Sequence, residues 1–430
     1  MSETRILSRR HFLKGSLFAA GAAVFPTLIP SSARGADGAV APSNKLVMGA
    51  IGLGNMGNSN LGAFLGMRDV VVVAVCDVDQ GHLDAAVRRV NGYYGTTGCK
   101  GYKDYRDLIA RGDLDVVSMA TPDHWHALTA IACGRAGIDV YGEKPITHDL
   151  QEGRALCNVF QRHGRVWQTG SWQRSRSQFH HTCELVRNGR IGKVHTCEVG
   201  LPTGHPTGIR KVMPVPPQLD WDLWVGPSPW QDYCGVSHWD WRWMLDFGGG
   251  QLMDWIGHHA DIAHWGMDCD YTGPVEVEGS GIYPREGLFD APTDYTFTCR
   301  YANGMTMIVS NSLKDGTRWI GDKGWIHVDR NGMSSSPGDL IQDVIGPNET
   351  RLYFSRDHQR NFIDCVKSRR LTITPCEVAH RSASIGHLGR IAMLTGRKIK
   401  WNPDKEEIIG DPGASALLGR AYRAPWTLDA

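Results

Sequence analysis

The sequence predicts an α/β protein in which a doubly wound parallel sheet is followed by a second, α+β domain built on a mainly antiparallel sheet. Apolar runs alternate with helical segments between residues 45 and 141, which is typical of a parallel sheet with helices on both faces. A glycine-rich turn directly follows the first apolar run. Beyond residue 270, consecutive strands are joined by short turns such as Asn303-Gly304, and such connections favour antiparallel pairing.

The composition is that of an ordinary globular protein. The chain has 430 residues, of which 41% are hydrophobic and 21% charged, enough for two domains. Its net charge of +1 argues against nucleic acid as a partner, because nucleic-acid binding requires a basic surface. The 11 cysteines show no Cys-x-x-Cys spacing, and the 18 histidines form no cluster with the spacing of metal ligands. We therefore expect neither a disulfide framework nor a metal site.

Residues 1–41 are predicted to be an export signal. Ser8-Arg9-Arg10-His11-Phe12-Leu13-Lys14 precedes an apolar run from Gly15 to Ile29, and a region of small residues follows. The apolar run is short for a membrane helix and contains Pro26, which disfavours a membrane anchor. The pattern resembles signals of the twin-arginine route, which carries folded proteins. It predicts the twin-arginine export machinery as a partner and a mature protein that is soluble in the periplasm or otherwise exported.

The first domain, predicted to span residues 42–165, begins with a nucleotide-binding motif. The strand Lys45–Ile51 runs into Gly52-Leu53-Gly54-Asn55-Met56-Gly57, whose three glycines permit a tight turn, close approach to a pyrophosphate and close packing of the next helix. Asn55 and Met56 would begin that helix, where free N–H groups bind phosphates. A second strand ends at Asp77, whose carboxylate suits a ribose 2′-hydroxyl and would repel a 2′-phosphate. We therefore predict NAD as the cofactor.

Two further strands end in polar stretches at the edge where ligands bind in such sheets. Thr121-Pro122-Asp123-His124-Trp125-His126 follows the strand Val116–Ala120, and Gly142-Glu143-Lys144-Pro145 follows Ile138–Tyr141. Pro145 favours an extended conformation at Lys144, which presents the lysine at the strand end. For the two histidines, capping and packing of the next helix is the alternative interpretation. The predicted cofactor contacts at this edge are Thr121, Pro122, His124, Trp125, His126, Glu143 and Lys144.

The second domain, predicted to span residues 166–430, is rich in tryptophan and contains a candidate acid/base helix. Eight of the 15 tryptophans lie between residues 221 and 265; several must be buried, and the surplus suits the apolar faces of sugar rings. After Gly248-Gly249-Gly250, the residues Asp254, His258 and Asp261 stand on one helix face. Such a row can position a proton-transfer group, or can simply stabilise a helix. The final helices are expected to pack back on the first domain.

Taken together, these motifs carry a resemblance. The chain resembles the glucose-fructose oxidoreductase, inositol dehydrogenase and MocA (Gfo/Idh/MocA) family, on GLGNMG, Asp77, ATPDHWHA, YGEKP and GGGQLMDWIGHHAD, and is similar to its exported branch. The resemblance implies a Rossmann domain, an open-faced antiparallel sheet used for homo-oligomer contacts, and catalytic roles for Lys144, Asp254 and His258. Substrate choice is expected in the loops 171–177 and 201–244, with Arg174, Asp254 and His258 as predicted substrate contacts.

The predicted reaction is hydride transfer between a secondary hydroxyl carbon of a sugar or glycoside and NAD. His258 would take the hydroxyl proton, Asp254 would hold the imidazole ring, and Lys144 would stabilise the developing alkoxide. Because an exported enzyme meets no pool of free NAD, the cofactor is expected to be tightly held. Oxidation of one sugar with reduction of another, NAD-dependent glycoside hydrolysis through transient oxidation and elimination, and non-catalytic sugar binding remain as alternatives.

Overall fold

A computed structural model describes residues 41–235 and 239–428. The predicted export signal therefore lies, except for Ala41, outside the described residues. Within the described ranges, no helix combines the length and the apolar character needed to cross a membrane.

The first sheet has six parallel strands, which confirms the predicted doubly wound architecture. Its spatial order is β3-β2-β1-β4-β5-β6, and every neighbouring pair is parallel. The strands are β1 (Leu46–Ile51), β2 (Val70–Cys76), β3 (Lys100–Tyr102), β4 (Val116–Met119), β5 (Asp139–Gly142) and β6 (Trp167–Thr169). Strand β6 extends this sheet past residue 165, where the sequence placed the end of the first domain.

Five helices connect these strands, and their ends follow from local sequence. They are α1 (Asn55–Leu65), α2 (Gln80–Tyr94), α3 (Tyr105–Ile109), α4 (Asp123–Arg135) and α5 (Leu150–Arg162). Helix α2 begins where the Asp79 carboxylate accepts the Gly81 N–H at 2.7 Å, and ends at Gly95 in the left-handed conformation. Both devices satisfy backbone groups that a helix terminus leaves unpaired.

The second sheet has nine strands in the order β13-β12-β11-β7-β10-β9-β8-β14-β15. Only β7 and β10 pair in parallel among these described strands, so the predicted mainly antiparallel sheet is confirmed. The strands are β7 (Val194–Gly200), β8 (Glu276–Ile282), β9 (Asp294–Arg300), β10 (Thr306–Ser310), β11 (Gly316–Gly321), β12 (Gly324–Asp329), β13 (Gly332–Ser336), β14 (Ile399–Asn402) and β15 (Glu407–Ile408).

Six further helices accompany this sheet. They are α6 (Ser177–Arg187), α7 (Trp221–Val225), α8 (Gly250–Met267), α9 (His358–Ser368), α10 (Cys376–Thr395) and α11 (Pro412–Ser415). Helix α8 is buried along nearly its whole length, and Leu252, Ile256 and Ile262 share one apolar core with the inward face of the sheet. Helix α9 packs Phe362 against Phe64 of α1, so this helix lies against the first sheet's helical layer.

The end of the chain, residues 419–428, forms what we call the C-terminal strap. The Arg420 guanidinium donates to the His124 carbonyl oxygen at 2.8 Å and to the Glu152 carboxylate at 2.9 Å. Further along, the Trp426 ring meets the Trp125 ring edge to face, with centroids 4.8 Å apart. The strap therefore fixes the start of α4, which lies at the ligand edge of the parallel sheet.

Candidate active site

The glycine-rich turn after β1 forms a cradle at one end of a cavity of about 420 Å³. Gly52 has a φ of +78°, and a Cβ on Gly57 would lie 1.8 Å from the Gly52 carbonyl oxygen. Loop and helix thus approach each other as closely as glycine allows. No side chain caps the N-terminus of α1, which leaves its first N–H groups free for phosphate. A dinucleotide pyrophosphate fits this cradle.

Asp77 lies at the next strand end and is held in place by backbone. Its carboxylate accepts the Leu53 N–H at 2.7 Å and the Asp79 N–H at 2.9 Å. It also lines the cavity. A carboxylate fixed beside the cradle suits the ribose hydroxyls of NAD and disfavours the 2′-phosphate of NADP, so the residues present fit NAD.

The stretch from Thr121 to His126 contributes a second part of the cavity wall, with one exception. The His126 Nδ1 lies 2.7 Å from the Pro145 carbonyl oxygen, and its Nε2 lies 2.9 Å from the Thr121 carbonyl oxygen, so the ring fills the space between two strand ends. His124 does not line the cavity: its Nε2 lies 2.9 Å from the Trp224 carbonyl oxygen, and its ring packs against Phe247. His124 is therefore a packing residue, as the alternative interpretation held, and not the predicted cofactor contact.

Most of the other predicted cofactor residues meet at this one cavity. The exception is Gly57, whose close packing shapes the cradle without lining it. Those that line it are Gly52, Gly54, Asn55, Met56, Asp77, Thr121, Pro122, Trp125, His126, Glu143 and Lys144.

At the far end of the cavity, Lys144 meets Asp254 of α8. The Lys144 Nζ donates to the Asp254 carbonyl oxygen at 2.6 Å and to its Oδ1 at 2.8 Å. The Arg242 Nε lies 3.6 Å from the same Oδ1. Burial alone would raise the pKa of Asp254, but the two cations lower it below its usual value, so Asp254 is ionised at neutral pH. An ammonium has three N–H donors, and one of those of Lys144 remains for a ligand.

His258 follows Asp254 by one helical turn, beyond the residues that line the cavity. It is buried, and its Nδ1 has no hydrogen-bond partner among the described residues. Burial, then the charges of Lys144 and Arg330, lower its pKa well below the usual value. The imidazole is therefore neutral at neutral pH, and one of its ring nitrogens carries a lone pair. The prediction that Asp254 holds this ring is wrong: no hydrogen bond joins the two side chains, and the Asp254 Oδ1 faces Lys144 and Arg242 instead.

Asp261 and Arg174 serve the framework. The Arg174 Nε donates to Asp261 Oδ2 at 2.7 Å, and its Nη2 donates to Asp270 Oδ1 at 2.7 Å. Arg174 is 2% exposed and does not line the cavity. Its guanidinium is paired with two carboxylates, so the structure does not support the predicted substrate contact.

Sequence reasoning missed a buried carboxyl in the cavity wall. Asp123 lines the cavity, is 4% exposed, and receives no hydrogen bond to its carboxyl from a described residue. Burial and then the Asp254 carboxylate raise its pKa well above the usual value, against the opposing charges of Lys144 and Arg242. The signal was present, since Asp123 stands within the singled-out stretch 121–126. The pKa values of two carboxyls in the cavity wall are thus shifted in opposite directions, that of Asp254 downward and that of Asp123 upward, an arrangement typical of acid/base sites.

The tryptophans divide into a core group and a site group. Trp221 and Trp224 are stacked and buried in an apolar cluster, and Trp224 also lines the cavity. Trp239 and Trp241 line the cavity, and the Arg242 guanidinium rests on both rings, 4.2 and 4.5 Å from their centroids. Nothing in the spacing of these residues indicated that Arg242 would reach Asp254.

Comparison with known proteins agrees with this architecture. The model of the Gfo/Idh/MocA oxidoreductase family's NAD-binding Rossmann fold matches residues 46–171, and that of its C-terminal alpha/beta domain matches residues 203–428. Myo-inositol 2-dehydrogenase of Thermotoga maritima is 24% identical over 379 residues, which are 84% of this chain and 99% of that protein.

Two other similarities are more limited. Alpha-N-acetylgalactosaminidase of Shewanella oneidensis is 31% identical over 178 residues, but the match covers 36% of this chain and 37% of that enzyme. The crystal structure of aldose-aldose oxidoreductase from Caulobacter crescentus has a TM-score of 0.59 at 21% identity, covering 83% of this chain and 99% of that one. The latter likeness shows the fold.

Proposed function

This chain belongs to the Gfo/Idh/MocA oxidoreductase family, and from that premise we propose that it oxidises a secondary hydroxyl of a sugar or glycoside. The family makes it an NAD-dependent oxidoreductase. The observation that carries the proposal is the Lys144–Asp254 pair at the end of the nucleotide cavity, with neutral His258 one turn further along α8. NAD, when bound, supplies the acceptor for the hydride that leaves the carbinol carbon.

The protein's part in the reaction is to move one proton and to stabilise one charge. A ring nitrogen of neutral His258 takes the hydroxyl proton as the carbon–hydrogen bond breaks and the carbonyl forms. The remaining N–H of Lys144 donates to the substrate oxygen, where negative charge develops. Asp254 holds the ammonium in position through two hydrogen bonds, which makes Asp254 a positioning residue for Lys144.

Export and assembly belong to the same proposal. We infer that residues 1–41 direct export through the twin-arginine machinery, that the mature enzyme keeps its NAD bound through turnover, and that its open sheet joins it to further copies. A tightly held cofactor requires a second, reducible substrate or a redox-neutral reaction. The resemblance in fold to an aldose-aldose oxidoreductase supports the first option.

A second candidate is glycoside hydrolysis by transient oxidation, elimination, addition of water and return of the hydride. Asp123 is the observation that favours it. Elimination of an aglycone needs a further proton donor, and the raised pKa of this buried carboxyl favours its protonated form beside the Lys144–Asp254 pair. The partial match to a glycosidase agrees with this candidate.

One experiment separates the two candidates. The as-purified mature protein is incubated with a panel of sugars and glycosides without added NAD, and the products are analysed by mass spectrometry. A product lighter by two hydrogens, with reduced cofactor retained, is expected for the oxidoreductase. Released aglycone with unchanged cofactor would identify the hydrolase. Unchanged sugars throughout the panel, with NAD present in the protein, would contradict both.

A further inference from the structure

Side chains from three separate segments meet around the ring of His258. Trp172 lies in the turn after β6, Trp255 lies in α8, and Arg330 lies between β12 and β13. The centroids of the two indoles lie 6.0 and 5.8 Å from that of the His258 ring. The Arg330 guanidinium rests on both indoles, 4.7 Å from the centroid of Trp172 and 4.3 Å from that of Trp255. We call Trp172, Trp255 and Arg330 the arginine clamp.

Only one donor of the Arg330 guanidinium is used within the described part of the chain. The Arg330 Nε donates to the Gln173 Oε1 at 3.2 Å. The Gln173 amide nitrogen in turn lies 3.3 Å from the carbonyl oxygen of His258. No described acceptor takes the Nη hydrogens of Arg330, and no described carboxylate forms an ion pair with it. Its guanidinium is fixed in orientation while most of its donors stay available.

This lack of a carboxylate is unusual for arginines of this protein that rest on tryptophan. Arg318, for example, lies 4.4 Å from the centroid of Trp325 and pairs with Glu198 at 3.4 Å. Among the described residues, those stacked on tryptophan with a carboxylate partner are Arg106, Arg174, Arg242, Arg318 and Arg423. Arg330 and Arg176 have none, and they share one ring, that of Trp172. Two arginines without an ion-pair partner among the described residues therefore share the Trp172 ring, and that ring packs against His258.

The charge of Arg330 contributes to the lowered pKa of His258. The carboxylates of Asp315 and Asp254 act in turn on Arg330, but neither of them forms an ion pair with it. Arg330 is exposed, so its guanidinium is accessible to a ligand. An anionic group on a bound ligand would supply the missing partner at a fixed distance from the proton acceptor.

We propose that Arg330 is an oxyanion-recognition residue and that the substrate is an acidic sugar, which bears a carboxylate or a sulfate. This inference rests on the proposed function for the place of the reacting hydroxyl, at Lys144 and His258. A guanidinium held flat by two indoles is a preorganised fork for two parallel hydrogen bonds to an oxyanion. The same indoles offer apolar faces to the sugar ring.

The test is equilibrium binding to the NAD-loaded protein, measured by calorimetry so that turnover is not required. The probes are methyl glucuronide and methyl galacturonide, the neutral methyl ester of each, and the corresponding methyl glycoside 6-sulfates. The variants are Arg330→Ala, Arg330→Lys and, as a matched control, Arg318→Ala, which removes a stacked arginine from the opposite face of the sheet. NAD content is measured in every variant.

The wild-type protein is expected to bind at least one charged sugar about tenfold or more tighter than its neutral counterpart, since charge-assisted bidentate hydrogen bonds carry that preference. Arg330→Ala should abolish the preference without changing NAD content. Arg330→Lys should restore only part of it, because an ammonium is a point charge. Arg318→Ala should keep it. Preference for the uronide or for the sulfate identifies which oxyanion the clamp takes.

Two results would overturn the inference. In the first, the wild-type protein binds charged and neutral sugars with equal affinity, or binds neither kind. The other is an Arg330→Ala variant that weakens both kinds of ligand equally, which would make the clamp a structural feature. If the protein oxidises neutral sugars and shows no preference for charged ones, the role of Arg330 is contradicted and the proposed function still holds. If it binds a uronide tightly and forms no redox product, the role of Arg330 is supported and the proposed function is contradicted.

Discussion

The two ends of the cavity are built by different means. The cofactor end is made largely of backbone: a glycine cradle, free N–H groups at the start of α1, and a carboxylate held by two N–H groups. The substrate end is made of side chains: Lys144 meets Asp254 across a sequence separation of 110 residues, and Arg242 lies against the same carboxylate. Backbone recognition depends on a short continuous motif, whereas side-chain recognition depends on how distant segments pack.

The largest expected effect lies at the substrate end. Lys144→Met should reduce turnover by roughly a thousandfold or more, because it removes the donor that stabilises the developing alkoxide. NAD content should be unchanged, since the cradle does not involve this side chain. Sugar oxidation and bound NAD are measured on the same preparation. Turnover within tenfold of wild type would refute the role of Lys144.

A smaller effect tests whether NAD is bound at the cofactor end mainly through backbone groups. Gly54 has a φ of −67°, and a Cβ there would meet no protein atom within 4 Å. Gly54→Ala should therefore fold normally, yet its methyl group would stand where the pyrophosphate approaches. We expect NAD affinity to fall by about 10- to 100-fold, measured by calorimetry on protein stripped of cofactor.

Gly92→Ala is the matched control for this prediction. Gly92 lies inside α2, and a Cβ there also meets no atom within 4 Å. This variant should keep wild-type NAD affinity. Wild-type affinity in Gly54→Ala as well would mean that the cofactor does not approach the backbone at the turn.

The smallest effect concerns Asp123 at the substrate end. Because its pKa is raised by burial from the ordinary value of 3.8, the folded protein keeps a proton that the unfolded chain loses. Its stabilising contribution is complete below pH 3.8 and is lost as the pH rises through the folded pKa. Asp123→Asn has no such proton. The melting temperature of this variant minus that of wild type should therefore increase by about 1–3 °C as the pH is raised from 4 to 7.

Thermal denaturation across that pH range measures this difference. Asp322→Asn, at an exposed position between β11 and β12, should show no comparable trend. A pH-independent difference for Asp123→Asn would mean that Asp123 is ionised in the folded state. The cavity would then hold two carboxylates of the same kind.

The cofactor end could be predicted from sequence because its determinants are contiguous. The glycine turn, Asp77 and the Glu143-Lys144-Pro145 motif each follow a recognisable strand. His124 was misplaced because neighbouring helical residues point in different directions, so Asp123 and Trp125 face the cavity while His124 packs against Phe247.

The substrate end could be predicted only in part. Spacing placed Asp254 and His258 on one helix face, but the partners of Asp254 come from other segments. Arg174 pairs with Asp270, 96 residues away, and no local sequence pattern predicts such a contact. Short strands such as β3, β6 and β11 cannot be predicted from sequence alone, because their residues lack an extended apolar run and the neighbouring strands determine their conformation.

The C-terminal strap has a consequence for the order in which this protein matures. Trp125 lines the nucleotide cavity, and its ring is held by Trp426, which follows it far along the chain. During synthesis, that part of the wall lacks its support until Trp426 has been made and has left the ribosome. Completion of the cavity wall is therefore a late step, although the glycine turn itself is made early.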